Sequence, residues 1–346
     1  MKYLVTGGLG FIGSHFIEHV LSQDSTEQVV NIDKGSYASN EGFHPKDYRY
    51  HLIRSDIGDV TSLADCLHIP LSSEGKDFDV VVNFASHSHV DNSLESPLDF
   101  LNNNINSFFK FLSLCSEWQL AGKIGKFVHI STDEVCGDLK DGNQAAFNED
   151  SPLKPSSPYS SSKASQEMFI HAVRKTYDFK ANILRLSNNF GPRQHAEKFL
   201  PTVILNSLKN KSIPVYGDGS QEREWMYVGD SVEYIRQVCE SRDNSDDYCI
   251  SDGTYVENLF IVHAIYNLMK HRFKLPASPS IEHVEDRLGH DRAYKLDCTK
   301  FKKSFELAEP SDINPRLQKT IDYYFYKLLK SEQSPPHLAV AKGVPC

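Results

Sequence analysis

Short apolar runs alternate with longer amphipathic stretches from residue 2 to about residue 187. The runs Tyr3-Leu4-Val5, Val29-Val30-Asn31-Ile32, Val80-Val81-Val82, Phe127-Val128-His129-Ile130 and Ile183-Leu184-Arg185-Leu186 read as strands of a parallel sheet covered on both faces. Between them, 11–23, 60–69, 98–118 and 157–177 read as helices. This order predicts an α/β fold with right-handed crossovers, a Rossmann-like doubly wound parallel sheet. After residue 187 Gly, Pro and charged residues interrupt shorter elements, with a return strand at Asp247-Tyr248-Cys249-Ile250-Ser251. The pattern therefore divides the chain into a nucleotide-binding domain over 1–187 with a return segment at about 223–254, a smaller mixed α/β substrate lobe over 188–222 and 255–333, and a flexible tail over 334–346. No internal repeat is present, and Asp243 to Asp247 reads as a solvated loop.

Composition narrows the partners. A chain of 346 residues with 40% hydrophobic content can bury more than one simple core, which agrees with two lobes. A formal net charge of -9 argues against a nucleic-acid surface and for a small ligand. The cysteines, Cys66, Cys115, Cys136, Cys239, Cys249, Cys298 and Cys346, are scattered and form no Cys-x-x-Cys pair, so a reduced compartment and no structural metal are expected. No apolar run approaches the roughly 20 residues of a membrane span, and the N-terminus enters a strand pattern at once. A cytoplasmic location without a membrane partner is the expectation.

Two groups of residues carry chemistry. Gly7, Gly10 and Gly13, with Phe11 and Ile12 between the last two, follow the first strand and open the first helix. Such a turn lets the main chain approach a pyrophosphate at a helix N-terminus. Asp33, at the end of the second strand, is placed to accept hydrogen bonds from an adenosine ribose. Its charge disfavours a ribose 2'-phosphate, so NAD is expected over NADP, although the neighbouring Lys34 weakens the preference. Asp56-Ile57, after the third strand, is placed to hold the adenine edge. The second group is Ser131-Thr132-Asp133-Glu134, followed by Tyr159 and, four residues on, Lys163. Adjacent carboxylates usually mark a solvated turn. Behind a buried strand, and with a tyrosine one helical turn before a lysine, they read as an acid/base set.

The glycine spacing and Tyr159-x-x-x-Lys163 resemble the extended short-chain dehydrogenase/reductase family, and within it the dTDP-glucose 4,6-dehydratases, over nearly the whole length to about residue 330. The likeness also rests on Ser88-His89-Val90-Asp91, Ser131-Thr132-Asp133-Glu134-Val135, Ser157-Pro158-Tyr159, Ser187-Asn188-Asn189-Phe190-Gly191-Pro192, Glu197-Lys198, Pro214-Val215-Tyr216-Gly217, Arg223-Glu224-Trp225 and Asp286-Arg287-Leu288-Gly289-His290-Asp291-Arg292. The resemblance implies a hydro-lyase with a regenerated NAD, acting on a nucleotide-diphosphate sugar. Oxidation at carbon 4 acidifies the carbon 5 proton, water leaves across carbons 5 and 6, and the hydride returns to carbon 6.

By the same resemblance Tyr159 is the base for the carbon 4 hydroxyl, Lys163 lowers its pKa and binds the nicotinamide ribose, and Thr132 hydrogen-bonds the sugar hydroxyl. Glu134 then takes the carbon 5 proton and a protonated Asp133 supplies the proton for the departing water. Asn188 or Asn189, with Arg223 and Arg287, is expected at the diphosphate. Glu197, Lys198 and His290 are expected in the same cleft, and Ser88 and His89 near the sugar or ribose. Three departures stand out: Cys136 where the family usually has Tyr, His87 where Glu is common, and a short segment between Gly137 and Ser151. They leave thymidine or uridine, and glucose or N-acetylglucosamine, open. A 4-epimerase or decarboxylase on the same fold would not need the Asp133-Glu134 pair, GDP-mannose 4,6-dehydratases normally favour NADP, and a non-catalytic NAD-binding regulator would be expected to lose the Tyr-Lys pair. Apolar residues on more than one face of 98–118 and 157–177, among them Phe100, Phe108, Phe109, Leu112, Met168, Phe169 and Val173, are compatible with a homodimer through these helices.

Overall fold

A computed structural model describes residues 1–59, 76–139, 145–242, 245–306 and 312–330. Seven strands form one parallel sheet: β1 (Lys2–Thr6), β2 (Gln28–Ile32), β3 (Tyr50–Ile53), β4 (Phe78–Asn83), β5 (Ile124–Thr132), β6 (Ala181–Leu186) and, far along the chain, β10 (Asp247–Ile250). Their spatial order is β10-β6-β5-β4-β1-β2-β3. It is the doubly wound order, with its reversal between β1 and β4, where Thr6 lies beside Asn83. The five expected runs and the return strand all fall in this sheet.

Period-two alternation of buried side chains explains the two layers. Tyr3 and Val5 face a core completed by α1 (Phe11–Leu21) and α7 (Val228–Glu240). Leu4 points the other way, into the core of α4 (Phe108–Leu120) and α5 (Pro158–Tyr177), with Phe111, Leu112, Ile170 and Val173. The start of α5 is set by Ser157 and Pro158: the Ser157 hydroxyl accepts from the Ser160 backbone N–H at 3.0 Å, the Ser160 hydroxyl accepts from the Ser157 N–H at 3.0 Å, and proline occupies the first turn. This cap places Tyr159 and Lys163 in the first two turns.

The helix expected over 98–118 is composite. After α2 (Val90–Glu95), α3 (Pro97–Phe100) runs into a π-helical stretch, Leu101–Ser107, before α4 begins. The extra backbone in that stretch presents Asn104 inward, where it is fully buried. The helix expected over 60–69 lies outside the described residues.

A second core sits in the smaller lobe, around Phe190, Leu200, Val203, Trp225, Ile261, Ile265, Leu317, Ile321 and Phe325. It carries a three-stranded sheet of β7 (Asn188–Phe190), β9 (Glu222–Tyr227) and β11 (Tyr255–Glu257), and a parallel pair of β8 (Ile213–Tyr216) and β12 (Ile281–Val284). Its helices are α6 (Phe199–Leu208), α8 (Asn258–Lys270) and α10 (Asn314–Leu329). Because β9 pairs with β7 and β11, the return to the large sheet starts at Val228 with α7, later than residue 223. The short α9 (Thr299–Ser304) comes back as well, since Phe301 is buried in the core of α1 and α7. Among the described residues no helix is long and apolar enough to cross a membrane, and no cluster of His, Cys, Asp and Glu has the arrangement of a metal site.

Candidate active site

The reversal point of the large sheet opens into a cleft of about 1230 Å³, part of it open to solvent. Gly7, Gly10, Phe11, Ile12, Gly13, Asp33, Lys34, Asp56, Ile57, Tyr159 and Lys163, all expected at the cofactor, line it together. Backbone proximity requires the glycines. A Cβ on Gly7, whose φ is +72°, would stand 2.6 Å from the Ala85 nitrogen, and one on Gly13 would stand 2.5 Å from the Gly7 carbonyl oxygen. No side chain caps α1, and its first turn has no acidic residue, so its N-terminal N–H groups face the cleft as an anion site. Asp33 accepts from the Leu9 N–H at 2.9 Å and the Gly35 N–H at 2.8 Å, one per oxygen, and each oxygen keeps a second lone pair for a ribose hydroxyl. Lys34 is committed to Asp56 at 3.1 Å and Asn103 at 2.6 Å, which withdraws it from a ribose 2'-phosphate. These residues fit a dinucleotide with an unmodified ribose.

Beyond Lys34, Ser36, Ala38 and Ser39 of the following loop also line the cleft. The Tyr37 hydroxyl donates to Glu197 at 3.2 Å and accepts from Asn92 at 3.0 Å, and its ring meets His87 and His195 edge-on. Tyr37 thus straps the nucleotide-binding domain to the smaller lobe.

The end of β5 turns directly into a short 3-10 helix, Asp133–Cys136, for which Thr132 is the cap: its hydroxyl accepts from the Glu134 N–H at 3.3 Å. The same hydroxyl donates to Asp133 Oδ1 at 3.0 Å. Asp133 is 1% exposed, and its Oδ2 has no partner. Burial and then the charge of Glu134 push its carboxyl up to about 8. Glu134 is also raised by burial, but Arg287, Lys198 and Arg223 act in the opposite direction. Burial thus raises both adjacent carboxyls, and at Glu134 the cations Arg287 and Lys198 work against the rise.

Lys163 sits apart from this pair. Its Nζ donates to the Ile130 carbonyl at 2.8 Å and lies 3.3 Å from His129 Nε2, while His129 Nδ1 lies 3.1 Å from Asn83 and Asn83 accepts from Thr6 at 2.6 Å. Burial brings Lys163 down to about 7. Lowering of the Tyr159 pKa by Lys163 was expected, and the chain's own groups do the reverse: burial raises the phenol, and Glu134 and Asp133 raise it further. The reason is direction, since the Lys163 ammonium points at the β5 carbonyl beneath the cleft.

The expected substrate residues divide. Ser88, Glu197 and Lys198 line the cleft, with Lys198 Nζ donating to the Ser88 carbonyl at 2.7 Å. His89 caps α2, its Nδ1 accepting from the Asn92 N–H at 3.3 Å. Arg287 reaches Asp91 at 3.6 Å and keeps a buried Nε without a partner, while His290 bonds Asp286 at 2.5 Å and is lowered to about 4, first by burial and then by Arg287. Asn188 has a buried amide oxygen without a partner. Asn189 and Arg223 are used by the fold. Asn189 bonds Ser231 and the Ser187 carbonyl, and Arg223 donates to the carbonyls of Glu222, Asp291 and Arg292 and stacks on Tyr294. Cys136 is buried and packs with Val135 and Ala164 beside Arg185. His87 does line it.

Sequence reasoning missed four contributors: Tyr37, Asn104, His129, and the buried Arg185–Glu167 pair on which the Ser131 hydroxyl also rests at 2.5 Å. The run Asn102-Asn103-Asn104 was a usable signal, because asparagine is a poor helix-interior residue. A His and an Arg inside the apolar runs of β5 and β6 were another.

A profile of the family described as GDP-mannose 4,6 dehydratase matches residues 4–314. The low-salt glycan biosynthesis protein Agl12 of Haloferax volcanii is 37% identical over 94% of this chain and 98% of its own. The dTDP-glucose 4,6-dehydratase of Salmonella typhimurium is 35% identical over 94% of this chain and 92% of its own. Among solved structures, the dTDP-glucose 4,6-dehydratase DesIV of Streptomyces venezuelae, with NAD and dTDP bound, superposes with a TM-score of 0.85 at 31% identity, covering 97% of this chain and 100% of that one.

Proposed function

The chain belongs to the GDP-mannose 4,6 dehydratase family, within the extended short-chain dehydrogenases/reductases, and on that premise we propose that it is an NAD-dependent hydro-lyase converting dTDP-glucose to dTDP-4-keto-6-deoxy-glucose. The observation that carries this reading is the Asp133-Glu134 pair beside Tyr159, with one carboxyl held protonated by burial and the other facing Arg287 and Lys198. Epimerisation or decarboxylation would need oxidation at carbon 4 but no such acid and base.

NAD, bound against Gly7, Gly13 and Asp33, supplies a hydride acceptor for carbon 4 and a donor for carbon 6. Tyr159 takes the carbon 4 hydroxyl proton, and Thr132 orients that hydroxyl. Glu134 takes the carbon 5 proton and Asp133 gives its proton to the carbon 6 hydroxyl as it leaves. Lys163 would hold the nicotinamide ribose. Asn188, Lys198, Arg287 and His290 are assigned to the sugar diphosphate, Arg287 through its planar fork. We also assign the chain to the cytoplasm, in keeping with Cys115, Cys136, Cys239, Cys249 and Cys298, which are free among the described residues. The exposed Leu98, Leu101, Phe109 and Met168 favour pairing of two copies through the α3–α4 and α5 faces.

The test is to incubate the protein and NAD with dTDP-glucose, UDP-glucose and UDP-N-acetylglucosamine in parallel, following loss of water by mass and the 4-keto sugar by its absorbance in alkali. dTDP-glucose should react fastest. Glu134→Gln should bind NAD normally and lose about 10²–10⁴ of the rate. A 4-epimer or a pentose in place of a dehydrated product would refute the assignment.

A further inference from the structure

Three neighbouring strands carry polar side chains that touch in a row beneath the cleft. Thr6 of β1 pairs with Asn83 of β4, and Asn83 with His129 of β5, so the register of the sheet sets the three side by side. Each is fully buried, and Lys163, 3% exposed, reaches the end of the row from α5. Of these four the proposed reaction uses only Lys163. A buried polar row is costly unless its members are paired, and the donors and acceptors available settle the direction of each bond.

The direction is fixed from the Thr6 end. Thr6 Oγ1 and Asn83 Oδ1 are 2.6 Å apart, a separation usual for O–H···O and too short for an amide N–H donor. The hydroxyl therefore donates, and Asn83 turns its Nδ2 to His129 Nδ1 at 3.1 Å. An amide nitrogen only donates, so Nδ1 accepts and the ring carries its proton on Nε2. A second ring proton is opposed by burial and then by Lys163, which hold the imidazole well below its usual pKa. Nε2 in turn lies 3.3 Å from Lys163 Nζ. An ammonium has three protons and no lone pair, and would meet this N–H proton to proton. The neutral amine completes the row: Nζ accepts from Nε2–H, donates to the Ile130 carbonyl at 2.8 Å, and keeps one N–H for a ligand in the cleft.

We propose that His129 is a positioning residue, locked by Thr6 and Asn83 with its proton on Nε2, that presents Lys163 to the cofactor as a neutral amine. The surrounding charges agree. Burial brings Lys163 down to about 7, and Glu167, which favours the ammonium from the next turn of α5, is paired with Arg185. Arg174, also on α5, acts against charge on His129, and α4 contributes the apolar Phe108 ring, 5.1 Å from the imidazole. A neutral amine can hold a ribose hydroxyl without setting a second positive charge beside the cationic nicotinamide of oxidised NAD. The inference rests on the NAD reading of the cleft and not on elimination by Asp133 and Glu134.

Nitrogen NMR of the histidine-labelled protein reads the tautomer. Carbon NMR of lysine labelled at Cε reads the charge of Lys163, whose signal is identified by its loss in Lys163→Met. In the chain stripped of nucleotide, His129 should hold its proton on Nε2, and Lys163 should titrate near 7, far below the roughly 10.4 of ordinary lysines. Saturating oxidised NAD should weaken the proton affinity of Lys163 by a further factor of about ten, and reduced NAD should weaken it less. Thr6→Val frees Asn83 to turn its amide without adding charge, and should strengthen that proton affinity about tenfold although Thr6 does not touch Lys163. Its melting temperature is the check on folding. A ring proton on Nδ1, a Lys163 that titrates with the ordinary lysines, a proton affinity strengthened by oxidised NAD, or one unmoved in folded Thr6→Val would each overturn the proposal. Failure of the unsubstituted chain to bind NAD would overturn the cofactor reading and with it the purpose of the neutral amine. Failure to dehydrate a sugar nucleotide would overturn the reaction and leave the result for His129 standing.

Discussion

Asp133 is an aspartate in surroundings suited to a neutral group, and its proton affects stability as well as chemistry. The folded chain holds that proton to about 8, whereas a free aspartyl side chain releases it near 3.8. Between those values the folded state binds more protons than the unfolded state, so the Asp133 contribution to stability falls as pH rises and levels off above 8. Asp133→Asn has no such proton. Its melting temperature relative to the unsubstituted chain should climb by more than roughly 2–4 °C from pH 4 to pH 8, the size of a 1 kcal/mol effect in domains of 150–250 residues, in differential scanning calorimetry. A gap that stays level with pH would mean that Asp133 ionises freely in the folded chain. The sequence made this residue legible as an acid, because a buried strand precedes it. It did not show the orphaned Oδ2, which depends on how Thr132 turns the chain.

At the scale of elements, α5 and β6 are joined by a charge pair that the hydrophobic pattern concealed. Arg185 contacts Glu167 at 2.8 Å, with 4% and 0% of the two side chains exposed, and also donates to the carbonyls of Asn148 and Glu149. Arg185→Met should cost about 3–5 kcal/mol in urea unfolding, because Glu167 would remain buried without its partner. Adding Glu167→Leu should recover a large part of that loss. The strands and α5 were readable from periodicity and from Ser157-Pro158, since burial on both faces and capping are local properties. The π-helical turn at Leu101–Ser107 was not, because Asn104 gains its reason for facing inward only from distant partners: His87, Ser162 and Gln166. The placement of β9 escaped for the same cause, as strand pairing is a choice among remote segments.

For the whole molecule, a group of exposed apolar side chains falls on the helices around Tyr159. Leu98 is 70% exposed, Met168 58% and Phe109 43%, and the Phe109 ring lies against Phe169. Pairing there would brace α5 from outside. Leu98→Glu combined with Phe109→Glu should halve the mass seen by light scattering, and an unchanged mass would exclude this face as the contact. The two-lobe arrangement was legible in the break of regularity after residue 187, whereas the contacts that tie the lobes together were not. Tyr37 is the clearest of these, and its bonds to Glu197 and Asn92 bear on the protein's relation to its surroundings. Its neighbours Ser36 and Ala38 line the NAD cleft, and the chemistry gives the cofactor no occasion to leave it, because each cycle returns NAD to its starting form. The enzyme's output then follows the supply of sugar nucleotide and is insulated from swings in the ratio of oxidised to reduced nicotinamide around it.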